Sequence, residues 1–467
     1  MSSVKTPTIR APRTPRASSL PSSWARDATP TGAPGMGAAG TIACRAEAVG
    51  LAWALGMAIF TAASFVCYLA DLPVATATGA ALLAAAAGLL VGPRVPWPRR
   101  ADATWADIRV GSRVVYVLSL GIVLIQVAVA VWVATHSLLR HGDAWTVWSP
   151  KARLFALGRL PRGYFTSHVW STHPDYPLNL PLAEAPFFRL PDPLGLTLAS
   201  LVGAGCLVAL LLLFYAGMAR LYDCAMAALA TAAMALVPPM AVLAGYGYAD
   251  VPLALYGGAS ALYLLLWWRC RQPRDLALMG LLAGGAIWTK KEGLLMAVLL
   301  LLALIAGEAA RRQAPRRARA LAVLGATAAA ALLPLPWLVF SLVAHPVGRD
   351  FLPVTPAVFV AHLGRLPTIA ASLPREALNL RRWGPFWPIV GAAVAIALAS
   401  RRLGPAGWGL LLLLAAQLGL DGMGYVFSDW SPYAAHIDTS LYRLMLQAVP
   451  LAVLLLVEAV RAPRTRR

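Results

Sequence analysis

Apolar runs of helical length recur along the chain, at about residues 46–70, 74–93, 113–138, 194–217, 222–244, 250–268, 275–290, 293–308, 319–344, 386–400, 405–420 and 441–460. Many approach the roughly 20 apolar residues that a helix needs to cross a hydrocarbon core. The pattern predicts an all-α integral membrane protein with about twelve transmembrane helices. The runs on either side of Lys290 are short, and read as tilted or broken helices or as one re-entrant pair. Residues 1–44 are rich in Ser, Pro, Thr, Arg and Gly and have no apolar face. They read as a disordered basic arm, without the short apolar core that would follow the basic start of a signal peptide. Residues 45–460 form the membrane domain, and 461–467 a basic tail.

The polar positions between the runs orient them. With the N-terminal arm in the cytoplasm, the Asp71-Leu72-Pro73 turn falls outside. Arg94, Arg99, Arg100, Arg109 and Arg113 then fall inside, as do Arg269, Arg271 and Arg274, the cluster Arg311 to Arg319, Arg401 and Arg402, and the C-terminal arginines. Short-loop Lys and Arg set topology, so this agreement predicts both termini in the cytoplasm. It also explains the net charge of +20 without nucleic acid. Five cysteines lie in or beside apolar runs with no CxxC spacing, so neither a disulfide framework nor a zinc site is expected.

Four polar stretches then share the outer face: 139–193, 245–250, 345–385 and 421–440. The first is long for a connection, and long loops are usually functional. It opens on His141-Gly142-Asp143-Ala144-Trp145-Thr146-Val147-Trp148-Ser149-Pro150-Lys151. Trp145 and Trp148 suit the headgroup level. Ser149-Pro150 reads as the start of an interfacial helix carrying Lys151. Asp143 is the candidate reactive carboxylate. Further along, His173-Pro174-Asp175-Tyr176-Pro177 is either a plain Pro-rich loop or a wall of a substrate cavity.

Asp250, in Tyr248-Ala249-Asp250-Val251-Pro252, is either an N-cap or a second carboxylate facing the same cavity as Asp143. Lys290-Lys291-Glu292 interrupts apolar sequence. Ionisable residues within membrane segments usually face a polar interior, so this is either an outer turn or a cationic contact for a phosphate. Five arginines (349, 365, 375, 381 and 382) give 345–385 a basic character, and Pro374 to Trp383 suits an amphipathic interfacial helix. Before the last span, Thr439 or Ser440 is a candidate cap. His436 and Arg443 either converge on an anion or, for Arg443, snorkel to the surface. The chain lacks GxxxxGK[ST], HExxH and GxSxG, so a lipid-carried donor fits better than a nucleotide.

These motifs, in this order and on one side, resemble the GT-C superfamily of polytopic glycosyltransferases, the group of protein O-mannosyltransferases and aminoarabinose lipid A transferases. The likeness rests on Gly142-Asp143-Ala144-Trp145, Tyr248 to Pro252 and Trp288-Thr289-Lys290. It is closest to bacterial members that also carry segments like 173–177, 291–293 and His436 with Thr439, Ser440 and Arg443. It spans about residues 113–460. The chain departs from the family in placing two apolar runs before the helix that leads to Asp143, and in having one acid there rather than a pair.

The resemblance implies a GT-C-like fold in a bacterial inner membrane. It implies transfer of a hexosyl or pentosyl group from a polyprenyl-phosphate donor to a lipid, glycan or protein acceptor at the outer face. Asp143 would be the general base, and Asp250 would assist or hold a metal. The substrate-binding set would be Trp145, Trp148, Lys151, His173, Asp175, Tyr176, Lys290, Lys291, Glu292, His436 and Arg443, with membrane lipids around it. The resemblance names no certain cofactor and leaves a divalent cation open. The rival readings are a lipid-linked oligosaccharide ligase or polymerase, and a lipid or polysaccharide transporter, which would call for repeated halves and broken helices at mid-span.

Overall fold

A computed structural model describes residues 38–73, 76, 77, 79, 110–167, 173–348 and 350–461. Most of the expected run at about 74–93, Arg349, and most of the N-terminal arm and C-terminal tail lie outside the described residues. The described part is helical, with one isolated antiparallel bridge between Phe351 and Ser428. Six helices are long and apolar enough to cross a membrane, or nine if each bent pair counts as one span. The count is of the described residues, so it leaves out the expected run at about 74–93, and two further apolar elements are short at 17 and 14 residues.

The chain enters on α1 (Ala38–Leu69), so the last residues of the expected arm are already helical. Next come α2 (Val110–Ser137), then two short helices of the first long loop, α3 (Ser149–Ala156) and α4 (Asn179–Glu184). α5 (Leu194–Leu221) leads to the bent pair α6 (Cys224–Ala235) and α7 (Pro238–Tyr246). α8 (Asp250–Cys270) is almost wholly enclosed by its neighbours. α9 (Pro273–Thr289) and α10 (Lys291–Ala310) meet at Lys290, whose extended backbone joins two separate helices. Gly293 makes the join tight, since a Cβ there would collide with the Ala286 carbonyl.

A second bent pair, α11 (Arg316–Leu332) and α12 (Leu335–Ala344), precedes the polar stretch carrying α13 (Pro356–Ala361), α14 (Leu366–Ala377) and α15 (Leu380–Trp383). The expected amphipathic helix from Pro374 to Trp383 is thus two helices. The break falls at Asn379, whose side chain accepts from Arg382 N and caps the second. α16 (Phe386–Ala399), α17 (Pro405–Gly424) and the bent pair α18 (Tyr433–Gln447) and α19 (Val449–Val460) complete the fold. Thr439 and Ser440 lie inside α18. Their hydroxyls donate back to carbonyls at positions 435 and 436, so they cap nothing.

Ionisable side chains gather at the two ends of the bundle. At one end Glu47 accepts from Arg220 and Arg274 and from the Tyr263 hydroxyl, and Arg220 also reaches Asp275. Nearby, Arg269 pairs with Glu458, and Arg271 and Arg311 share Glu308. This is the Arg-rich end. At the other end, the first long loop is pinned by an aromatic core of its own. Phe65 of α1, Phe155 and Phe165 of the loop, Trp288 of α9 and Trp337 of α12 interlock there. Beneath them Asn179 donates to Thr289 and accepts from Thr61, which also accepts from the Trp288 indole. Packing and a closed hydrogen-bond chain therefore make this loop part of the domain.

None of the five cysteines is in a disulfide. Glu47 is buried, and removing one partner from a buried ion pair costs about 3–5 kcal/mol. Glu47→Gln is expected to lower the midpoint of SDS-induced unfolding of the detergent-solubilised protein. An unchanged midpoint would mean that the Arg-rich network is not structural.

Candidate active site

Asp143 follows the end of α2 and begins a helical stretch that runs through a π-helical turn (Ala144–Trp148) into α3. α3 therefore continues an existing helix, and Ser149 caps nothing. Gly142 sets the position of Asp143. Its φ is +37°, and a Cβ there would overlap the Tyr248 hydroxyl.

Asp250 is the first residue of α8, with Ala249 as the cap, and is 1% exposed. Its Oδ1 accepts from Lys290 Nζ at 3.0 Å and Gln447 Nε2 at 2.7 Å. Its Oδ2 accepts from Arg443 Nε at 3.1 Å. The same guanidinium extends Nη2 to Asp143 Oδ2 at 2.6 Å. Lys290 also reaches Glu292 at 3.0 Å. The result is one chain of charge, Asp143–Arg443–Asp250–Lys290–Glu292, drawn from four separate parts of the sequence.

A cavity of ≈ 650 Å³ opens beside this chain. Of the residues expected at the site, it is lined by Asp143, His173, Tyr176, Lys290, Lys291, Glu292, His436 and Arg443. Asp250 stands behind the wall. Asp175 also lies outside the lining, but forms an ion pair with Lys291. Trp145, Trp148 and Lys151 do not line the cavity. Trp145 is exposed, and Trp148 is buried with its ring stacked on Tyr176. Lys151 is buried too, and donates to the His173 carbonyl at 2.7 Å. Burial, then the Lys291 charge, hold its amine well below the ordinary lysine range. Lys151 is thus a strut behind the wall.

Several lining residues were not singled out from sequence. Asp350 meets His173 Nδ1 at 3.3 Å and accepts from the Trp430 indole at 3.1 Å. Trp430 in turn stacks on His436, which shares a hydrogen bond with Ser428. Leu352 N donates to the Phe427 carbonyl, so 345–385 and 421–440 are stitched together at the cavity rim. Asp421, at the end of α17, lines the cavity and has a buried Oδ2 without a partner among the described residues. Its sequence signal matches that of Asp143: a lone carboxylate where an apolar run ends.

Carboxylates outnumber cations here. Asp143, Asp175, Asp250, Glu292, Asp350 and Asp421 face Lys290, Lys291 and Arg443. The cations are already paired, so the site is not an open cationic cup. Lys290 and Arg443 are 2% and 13% exposed, whereas Lys291 is 42% exposed. Lys291 is the cation best able to change partner. Among the described residues, no group of three or more His, Cys, Asp or Glu side chains is placed to hold a metal ion.

Burial pushes the His173 imidazole down and outweighs the pull of Asp350, so at neutral pH the ring is uncharged and the contact is a hydrogen bond. Burial and the surrounding acids push the Tyr176 phenol well above its usual range. A base whose folded pKa is lowered contributes stability above its unfolded value, near 6.5, and that contribution fades as pH falls toward the folded value. Wild type should therefore lose more Tm than His173→Gln between about pH 8 and pH 5. Parallel Tm curves would show that His173 titrates alike in both states.

No protein-family model and no curated protein matches the chain. Among solved structures, one similar chain is the archaeal oligosaccharyltransferase AglB from Archaeoglobus fulgidus, in complex with an inhibitory peptide and a dolichol-phosphate. Identity is 14% and the TM-score 0.45, over 73% of this chain and 50% of that one, a likeness too slight to carry an argument about chemistry.

Proposed function

We propose that this cavity is the active site of a membrane glycosyltransferase. The enzyme moves a sugar from a polyprenyl-phosphate-linked donor to an acceptor hydroxyl at the outer face of a bacterial cytoplasmic membrane. The observation that carries the reading is convergence: Asp143, Lys290 to Glu292, His436 and Arg443 lie far apart in sequence and meet at one cavity, opposite the Arg-rich end. A cavity of ≈ 650 Å³ suits a sugar and its phosphate.

Asp143 takes the proton from the acceptor hydroxyl as that oxygen forms its bond to the anomeric carbon. The bond from that carbon to the phosphate oxygen breaks, and the phosphate leaves with the electron pair. Negative charge grows on the leaving phosphate, where a pre-placed cation lowers the barrier. Lys291 is assigned this contact, because it can exchange Asp175 for phosphate. Lys290 and Arg443 have buried carboxylate partners and serve to fix Asp143. Asp250, with three donors on its two oxygens, is a positioning residue in this scheme.

A transporter would use broken helices, and three bent pairs are present. Their breaks, at Leu236-Val237, Leu333-Pro334 and Ala448, carry no ionisable side chain, and Arg443, one turn before the last of them, is turned to Asp143 and Asp250 at the cavity. That arrangement favours chemistry at one face over passage through the middle.

Membranes containing the protein should transfer label from radiolabelled polyprenyl-phosphate sugars. Asp143→Asn, at matched expression and donor binding, should cut the rate by about 10²–10⁴-fold. Equal transfer by both would remove Asp143 as base. For Lys291→Gln, the expected result is a raised KM for the lipid donor together with a lower kcat, while its Tm stays near wild type. A variant with wild-type kinetics would assign the phosphate contact elsewhere.

A further inference from the structure

A larger cavity, ≈ 1020 Å³, lies at the Arg-rich end, between the end of α8, the end of α10 and the start of α17. It is a groove with an apolar floor and a cationic mouth. The Trp268 indole forms part of the floor, and two glycines make room for it. A Cβ at Gly307 would sit 2.7 Å from Trp268 Nε1, and one at Gly409 would sit 2.9 Å from Cη2. With only hydrogen at those positions, the ring lies close against both helices. Leu302, Leu412 and Trp408 along the groove are exposed, and so are Leu294, Val298 and Ile305 on the adjoining face of α10. The groove is therefore continuous with an apolar outer surface of a membrane helix.

Arg269, Arg271 and Arg311 stand at its mouth. Their side chains are 47%, 32% and 37% exposed, while their partners Glu458 and Glu308 are nearly fully buried. Two buried carboxylates balance two of the three guanidiniums, and the accessible side of the cluster is cationic. Water-soluble anions would meet the same arginines but gain nothing from the indole and leucine floor. An amphiphile with an anionic head and an acyl tail uses both parts.

We propose that this groove is a binding site for an anionic glycerophospholipid of the leaflet at the Arg-rich end. Its phosphate rests on Arg269, Arg271 and Arg311, and one acyl chain lies along Leu302, Ala306 and Leu412. The site is separate from the catalytic cavity and does not depend on the sugar-transfer reading. Each basic side chain near an anionic lipid surface contributes about 1 kcal/mol, about fivefold in affinity.

The test is native mass spectrometry of the full-length protein, released from nanodiscs of phosphatidylglycerol and phosphatidylcholine in equal amounts. The expected result is selective retention of phosphatidylglycerol. Arg271→Gln with Arg311→Gln should lower that retention roughly tenfold or more. Ala306→Leu, which keeps every charge and fills the groove, should lower it too, while Tm in phosphatidylcholine stays at the wild-type value. Equal retention of both lipids, or selective retention untouched by Ala306→Leu, would mean annular lipid only and overturn the proposal. Displacement of the lipid by glycerol 3-phosphate at millimolar concentration would show a head-group site without a chain groove, and overturn it as well.

Discussion

Arg443 places one guanidinium between Asp143 and Asp250, which come from the first long loop and from the start of α8. Guanidinium suits this task because its planar fork can address two carboxylates at once and its charge does not titrate away. Lys290 then shares Asp250 and extends the contact to Glu292. Any one of these groups alone would be costly to bury. Together they satisfy one another, and the helices carrying them are held in register at one end of the bundle. The wall of the cavity is the exposed side of this buried chain.

The same principle organises the opposite end with different residues. There the carboxylates Glu47, Glu308 and Glu458 are buried, and arginines close over them from several helix termini. Between the two layers the packing is aliphatic and aromatic, with small residues where helices approach most closely. Gly203, for instance, would drive a Cβ into the Ala244 carbonyl. Charge kept out of mid-span is what a hydrocarbon environment requires, since each buried ionisable group there carries a penalty of several kcal/mol. It also separates the two cavities: one is walled by paired charges, the other by an apolar floor under a row of arginines.

Much of this was legible in the sequence because hydrophobic run length and Arg placement act locally. The run at 250–268 is α8, and the interruption at Lys290 is a real join between α9 and α10. Lone carboxylates at run ends pointed to Asp143 and Asp250 for the same local reason. Trp148 and Lys151 read as surface groups because their neighbours are polar, yet both are buried under Tyr176 and the His173 segment. A single chain gives no means of knowing that a residue 22 positions away will cover that lysine. Asp350 owes its place to what stands opposite it, His173 and Trp430, whereas Asp421 carries the same local signal as Asp143, a lone carboxylate where an apolar run ends.

By itself, the sequence determined a helical membrane protein, the segments that form many of its helices, and a set of polar residues gathered where apolar runs end. Periodicity, run length and charge bias are properties of a segment and survive without its neighbours. Only the tertiary structure decided which polar residues share a cavity, which are struts behind it, and which cation is free enough to change partner. Those outcomes depend on burial and on pairing between residues separated by as much as 300 positions. Arg443, for example, meets Asp143 and Asp250 only when the bundle is assembled, because neither carboxylate is near it in the sequence.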